Sequence, residues 1–182
     1  MSDADRRRWD DRYTSRGPAH IELPTVFADY ADEFPSSGSA LDIACGQGEI
    51  SVWLARRGLR VVGVDVSPVA IGYAHELAVR NQVDDHCRFT VVDLDDGLPA
   101  GEQANTIVCH RFRAPHRYPA IVERLAPGGL LAIAVLSEVD GGPSPYRASP
   151  GELSVAFADL DLIAEGEGDG VAWLMARRAA DR

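Results

Sequence analysis

The chain has no apolar run near the roughly 20 residues that a membrane span needs, and its start, MSDADRRRWDDRY, lacks the apolar core of a secretion signal. Its three cysteines, Cys45, Cys87 and Cys109, are odd in number and widely spaced, which suits neither a disulfide framework nor a zinc site. A reducing cytoplasm is therefore the expected home. Basic residues are also scarce: 18 Lys and Arg against 28 Asp and Glu leave a formal charge of −10. Such a surface repels a phosphate backbone, and the single basic run, Arg6 to Arg8, is flanked by aspartates, so nucleic acid is not an expected partner. There is no internal repeat, no long linker and no His/Asp cluster that announces a metal. At 182 residues the length is that of one domain with a single good core.

From Gly38 onward the chain alternates between two periods. ALDIA (40–44) reads as a buried strand, followed by Ile50, Trp53, Leu54 and Arg57 at helical spacing and by Gly58 as a helix stop. RVVGVD (60–65) is a second strand, and Ser67-Pro68 opens a helix whose inward face is Ala70, Tyr73, Ala74 and Leu77. CRFTVVD (87–93), NTIVCHRF (105–112) and LLAIAVL (130–136) are further strands, with a helical stripe at Tyr118, Ile121, Val122 and Leu125 before the last. Strands without polar alternation are buried on both faces, and their alternation with helices implies a parallel, doubly wound α/β sheet. SPGE (149–152) resembles a capping box, with Leu153 and Phe157 facing inward, and LDLIAEGEGDGVAWLMARR reads as an antiparallel hairpin on the sheet edge. We expect a single domain over 1–182: a helical N-terminal cap (1–37) over the mouth of a Rossmann-like core (38–182).

The stretch LDIACGQGEIS (41–51) carries the chemistry. In a doubly wound sheet, ligands sit beyond the carboxyl ends of the strands, and this loop follows the first strand. Gly46 and Gly48 permit a tight turn and close approach of a ligand to the main chain. Asp65, 19 positions after Gly46, is placed to hold the two hydroxyls of a ribose. A dinucleotide fingerprint would want a third glycine where Ser51 stands. Asp42 would repel a pyrophosphate but attract an amino-acid ammonium, directly or through water. The charge pattern thus favours S-adenosylmethionine over NAD. Asp93, at the end of the third strand, can accept from an adenine amine, with Leu94 donating its backbone N–H.

With these residues in place, the chain resembles the class I S-adenosylmethionine-dependent methyltransferases. LDIACGQG is similar to their first motif, with Ala44 where glycine is commoner, and VVGVDVSPVAIGYA to their second. VVDLDD and ERLAPGGLLAIAV are similar to the adenine segment and to the fifth-strand region. The resemblance implies a seven-stranded sheet of order 3-2-1-4-5-7-6 with strand 7 antiparallel. It also implies cofactor contacts from Asp42, Ala44, Cys45, Gly46, Gly48, Asp65, Val66, Asp93, Leu94 and Cys109. The opening RRRWDDRYTSRG is similar to that of the tellurite-resistance and thiopurine-type enzymes, in which an N-terminal helix closes over the cofactor. That makes Trp9 and Tyr13 candidates for contacts to the methionine portion.

Methyl transfer is an in-line displacement, so the protein must align an acceptor about 3 Å from the methyl carbon and, for a hydroxyl, take a proton. CHRFRAPHRYP (109–119) supplies His110, Arg111 and His116 as catalytic candidates. Arg111 and Arg113 could bind an anionic acceptor, His116 and Arg117 also read as a solvated helix start, and Tyr118 is expected in the core. DGGPSPYRASP (140–150) is a second loop for the acceptor side, with Tyr146 and Arg147. No insertion is long enough for a substrate domain, which favours a small thiol, chalcogen or hydroxyl acceptor. The alternatives are a larger sugar or lipid-linked acceptor in an open site or one completed by a second subunit of a homodimer, an NAD-dependent oxidoreductase, and a non-catalytic cofactor-binding module.

Overall fold

A computed structural model describes residues 3–15 and 19–180, and the side chains from Arg6. Arg16 and Gly17, which end the N-terminal motif, lie outside the described residues. Helix α1 (Asp3–Ser15) and a single turn, α2 (Thr25–Ala28), precede the sheet. The core then runs β1 (Ser39–Ile43), α3 (Glu49–Arg56), β2 (Arg60–Asp65), α4 (Pro68–Arg80), β3 (Cys87–Val91), β4 (Ala104–His110), α5 (Tyr118–Arg124), β5 (Leu125–Leu136), α6 (Glu152–Ala156), β6 (Asp161–Gly168) and β7 (Val171–Arg177). The seven strands form one sheet in the order β3-β2-β1-β4-β5-β7-β6. Strands β1 to β5 are mutually parallel, whereas β7 runs antiparallel to both β5 and β6.

Side chains on successive strand residues point to opposite faces, so the uninterrupted apolar strands feed two cores. On one face Leu41, Ile43, Ile107 and Ile133 pack with Tyr118, Leu153 and Phe157 from the α5 and α6 side. On the other, Ala40, Val108 and Ala132 pack with Ile50 and Leu54 of α3 and with Phe27 and Phe34. Helix α4 sits on Phe89 through Ala74 and Leu77. Its start follows from Ser67, whose hydroxyl accepts the Ala70 N–H at 3.1 Å, with Pro68 in the first turn. The hairpin turns on Asp169 and Gly170, both at positive φ, as a two-residue primed turn requires.

Several boundaries differ from the sequence reading. Strand β3 stops at Val91, because Asp93 turns the chain by accepting the Asp95 N–H at 2.9 Å. Strand β4 stops at His110, because Arg111 adopts φ 61°. Strand β5 begins early, at Leu125, which pairs with Ala104 before a register shift. Tyr73 is only half-buried, and Arg57 is the C-cap of α3. Only half of the SPGE capping box forms: Glu152 accepts the Ser149 N–H, but the helix is capped by Gly151 at φ 73°.

Ile133 lies in the central layer with no exposed surface. Replacement by Ala should lower the unfolding free energy by about 3 kcal/mol, from lost transfer energy and a residual cavity. Urea denaturation measures this.

Candidate functional site

The chain after β1 makes two left-handed turns in quick succession. Ala44 has φ 56° and Gly46 φ 55°, and Gly48, at φ 83°, caps α3. A side chain on Gly48 would meet the Ala74 methyl at 2.8 Å, so α4 packs directly against the loop backbone. Ala44 occupies the strained conformation with a methyl group, at a cost of about 1 kcal/mol relative to glycine. The loop is tied to β2 by the Cys45 N–H on the Val64 carbonyl, 2.9 Å.

Asp65 ends β2 and reaches back under the loop. One carboxylate oxygen accepts the Gly46 N–H and the other the Ser67 N–H, each at 3.0 Å. Ser67 in turn donates its hydroxyl to Asp10 of α1. Tyr13, one turn further along α1, is buried, and its phenol oxygen lies 3.1 Å from where a Gly46 side chain would begin. Trp9 stacks on Tyr13 with ring centroids 5.9 Å apart. Helix α1 is thus seated over the glycine loop, and Gly46, Gln47 and Gly48 are buried.

Asp42, on β1, is 1% exposed and is held by Ser51, whose hydroxyl donates to it at 2.6 Å and whose backbone N–H also favours the carboxylate. Burial pushes its pKa up to about 7 against the opposing Ser51 bond, with Glu49 and Asp65 adding repulsion. Burial raises Asp65 in the same direction. Ser51 thus replaces the third glycine of a dinucleotide loop with a donor for the buried acid. Gln47 is a residue that sequence reasoning missed. It is 3% exposed, and its amide oxygen is buried without a partner. An orphaned buried acceptor costs about 1–3 kcal/mol and is a natural contact for a donor on a ligand. Its place inside the glycine loop was the available signal.

A family model described as a methyltransferase domain matches residues 40–129, from the first strand through the turn before the fifth-strand core. A ubiquinone biosynthesis O-methyltransferase of Pseudomonas putida strain GB-1 is 29% identical over 76% of this chain and 61% of its own length. The chain spans about one third to three fifths of the curated relatives that head the comparison. Among solved structures, TehB from Haemophilus influenzae superposes with TM-score 0.75 at 19% identity, covering 95% of this chain and 66% of TehB. Geranyl diphosphate C-methyltransferase from Streptomyces coelicolor A3(2) gives 0.70 at 15% identity over 98% of this chain and all of that one. Residues 40–129 thus match a methyltransferase domain, and the chain shares the fold of S-adenosylmethionine-dependent methyltransferases.

The other residues singled out from the sequence are spread around the carboxyl edge of the sheet. Val66 and Asp93 are half-buried beyond β2 and β3, and Leu94 is buried. The Cys109 thiol lies in the core formed with Leu41 and Ile43, and it donates to the Phe112 carbonyl at 3.3 Å. Register pairs Asp42 with Val108, so His110, two residues on, shares the sheet face of Asp42, and Cys109 faces the opposite way. Arg111 is exposed, its N–H bonded to the Ala134 carbonyl at 2.7 Å, and His116 is exposed in a 3₁₀ turn (115–117).

The remaining acceptor-side candidates are committed to the protein itself. Arg113 forms a two-pronged pair with Glu152, 2.8 and 2.6 Å, and also holds the Pro145 carbonyl, so it is a clamp and not an open anion site. Arg117 donates to the Leu94 and Asp95 carbonyls and so is not a solvated helix start. Tyr118 is buried and bonds Glu152 at 3.1 Å. In the second loop, Arg147 donates to the Ser137 carbonyl and Tyr146 is exposed. A shallow cleft of about 500 Å³ opens beside this clamp, between Pro115, Pro119, Pro150 and Val155. It lies away from the glycine loop, which α1 covers.

Asp42 gives a pH dependence with a definite sign. Its folded pKa is raised above its unfolded value, so between about pH 4 and pH 7 the native state binds the extra proton. Its contribution to stability therefore falls as pH rises through that window and is flat above it. Thermal melts from pH 5 to 8 should show a steeper loss of stability in the wild type than in Asp42→Asn.

Proposed function

We propose that the protein transfers a methyl group from S-adenosylmethionine to a small-molecule acceptor bearing a thiol or hydroxyl. The observation that carries the reading is the Asp42 carboxylate sealed beneath a glycine loop with no cation beside it among the described residues, held by the neutral Ser51. Such a group is matched by an ammonium and mismatched by a pyrophosphate. The residues present fit the cofactor. Asp42 and the orphaned Gln47 amide oxygen face its amino-acid donors, and Asp65 has lone pairs left on both oxygens for a ribose diol. Val66, Asp93 and Leu94 border the adenine, while Ala44, Cys45, Gly46 and Gly48 supply backbone. When bound, the cofactor supplies a methyl carbon activated by a sulfonium leaving group.

The chain's own contributions are positioning, exclusion of water and proton removal. Helix α1 acts as the cap, with Trp9 and Tyr13 sealing the methionine end. His110, on the sheet face of Asp42 and at the end of β4, is the candidate base for a hydroxyl proton. Arg111 and His116 stand on the acceptor side. The similarity to an O-methyltransferase of ubiquinone biosynthesis supports a compact organic acceptor. A thiolate would need His110 less than a hydroxyl would.

Asp65→Ala should weaken cofactor binding by about 1–3 kcal/mol, as loss of charge-assisted hydrogen bonds does. Calorimetric titration with S-adenosylmethionine, its demethylated product and NAD measures this, and tight binding of NAD alone would overturn the assignment. With labelled methyl donor and a panel of thiols, phenols and sugars, His110→Ala should slow transfer to hydroxyls about 100-fold or more while cofactor affinity is kept. Absence of transfer to any acceptor would favour a binding module.

A further inference from the structure

The cleft of about 500 Å³ between the starts of α5 and α6 has no part in the chemistry above. Pro115 and Pro119 line it from the α5 side, and Pro150, Val155 and Ala156 from the α6 side. All five are exposed, Val155 by 80%. Exposed apolar groups gathered around a concave surface mark a binding site, whereas scattered ones do not. Proline has no backbone N–H and holds its φ fixed. Three prolines therefore give walls that offer few main-chain donors and need little ordering when a ligand enters.

The polar groups of the cleft are already occupied. Glu152 is the only ionised side chain lining it among the described residues. One of its oxygens accepts from Arg113 Nε at 2.8 Å and from the Tyr118 hydroxyl at 3.1 Å. The other accepts from Arg113 Nη2 at 2.6 Å and from the Ser149 N–H at 3.3 Å. A carboxylate offers about four lone-pair sites, so all are filled, and the guanidinium balances its charge. A charged ligand would lose its hydration there with nothing to replace it. The volume is that of a small-molecule pocket, about 300–1,000 Å³. A second copy of the chain would bring another formal charge of −10 against the first, and an anionic membrane surface is repelled in the same way.

We propose that this cleft is a binding site, separate from the cofactor site, for a neutral and largely apolar small molecule of ring-system size. The inference stands on the lining alone and does not depend on the cofactor reading.

Fluorescence titration of the full chain with the neutral dye Nile red at 0.15 M salt, about one Debye length of 8 Å, tests this. Neutral 1-naphthol, anionic 1-naphthalenesulfonate and cationic 1-naphthylmethylammonium serve as competitors. The wild type should bind the dye saturably, and 1-naphthol should displace it at concentrations at least about tenfold lower than either ion. Val155→Asp puts a carboxylate into the cleft at an exposed position and should weaken dye binding about tenfold or more. Ala156→Asp, next along α6 and also exposed, should do the same. Val79→Asp, at an exposed valine on α4, should leave binding unchanged, and thermal melts check that each variant is folded. Absence of saturable binding, displacement by an ion as effective as by 1-naphthol, or wild-type affinity in folded Val155→Asp and Ala156→Asp overturns the proposal. So does a wild-type dimer in sedimentation equilibrium that Val155→Asp makes monomeric, since it assigns the face to a second copy.

Discussion

Sealing the Asp42 carboxylate under the loop that ends β1 is unfavourable by itself, and much of the surrounding structure is arranged around that group. Ser51 reaches it from the first turn of α3 through its hydroxyl and its backbone N–H. For Ser51 to do so, α3 must start at once after the glycine loop, which requires the left-handed turns at Ala44, Gly46 and Gly48. For the loop to stay in place, Asp65 must hold Gly46 from β2. One buried acid is therefore tied to the spacing between the first strand, the loop and the first helix.

The sheet order brings the remaining parts to the same edge. Because β1 lies between β2 and β4, the loop after β1 is flanked by Asp65 on one side and His110 on the other. The clamp of Glu152, Arg113 and Tyr118 ties the start of α6 to the loop after β4 and the start of α5. Helix α1 covers the glycine loop through Asp10 and Tyr13. The buried groups beneath that loop, Asp42 and Asp65, are acidic, and the chain after β4 exposes Arg111 and His116.

Much of this was legible in the sequence because its signals are local. Apolar runs without alternation gave the parallel strands, Ser67-Pro68 the start of α4, and the glycine-rich turn between two strand-like runs the terminal hairpin. The resemblance supplied the strand order, which periodicity alone cannot, since pairing depends on contacts distant in sequence. The less legible features depend on partners far along the chain. Arg113 is a loop cation in the sequence, and only Glu152, 39 residues on, makes it structural. Gln47 looks like a spacer between glycines until burial leaves its oxygen without a partner. The turn at Arg111 ends β4 early, although nothing in its residue type announces a left-handed backbone.

The most direct test of the buried acid as the seat of cation recognition is the proton balance of cofactor binding. Burial pushes the Asp42 pKa up to about 7, so it holds a proton more readily than an ordinary carboxyl, and an ammonium placed against it favours the ionised form. Calorimetry at pH 7 in buffers of different ionisation enthalpy should show net release of protons on binding S-adenosylmethionine. In Asp42→Asn that release should vanish. Binding by the wild type without proton release would contradict the role assigned to Asp42.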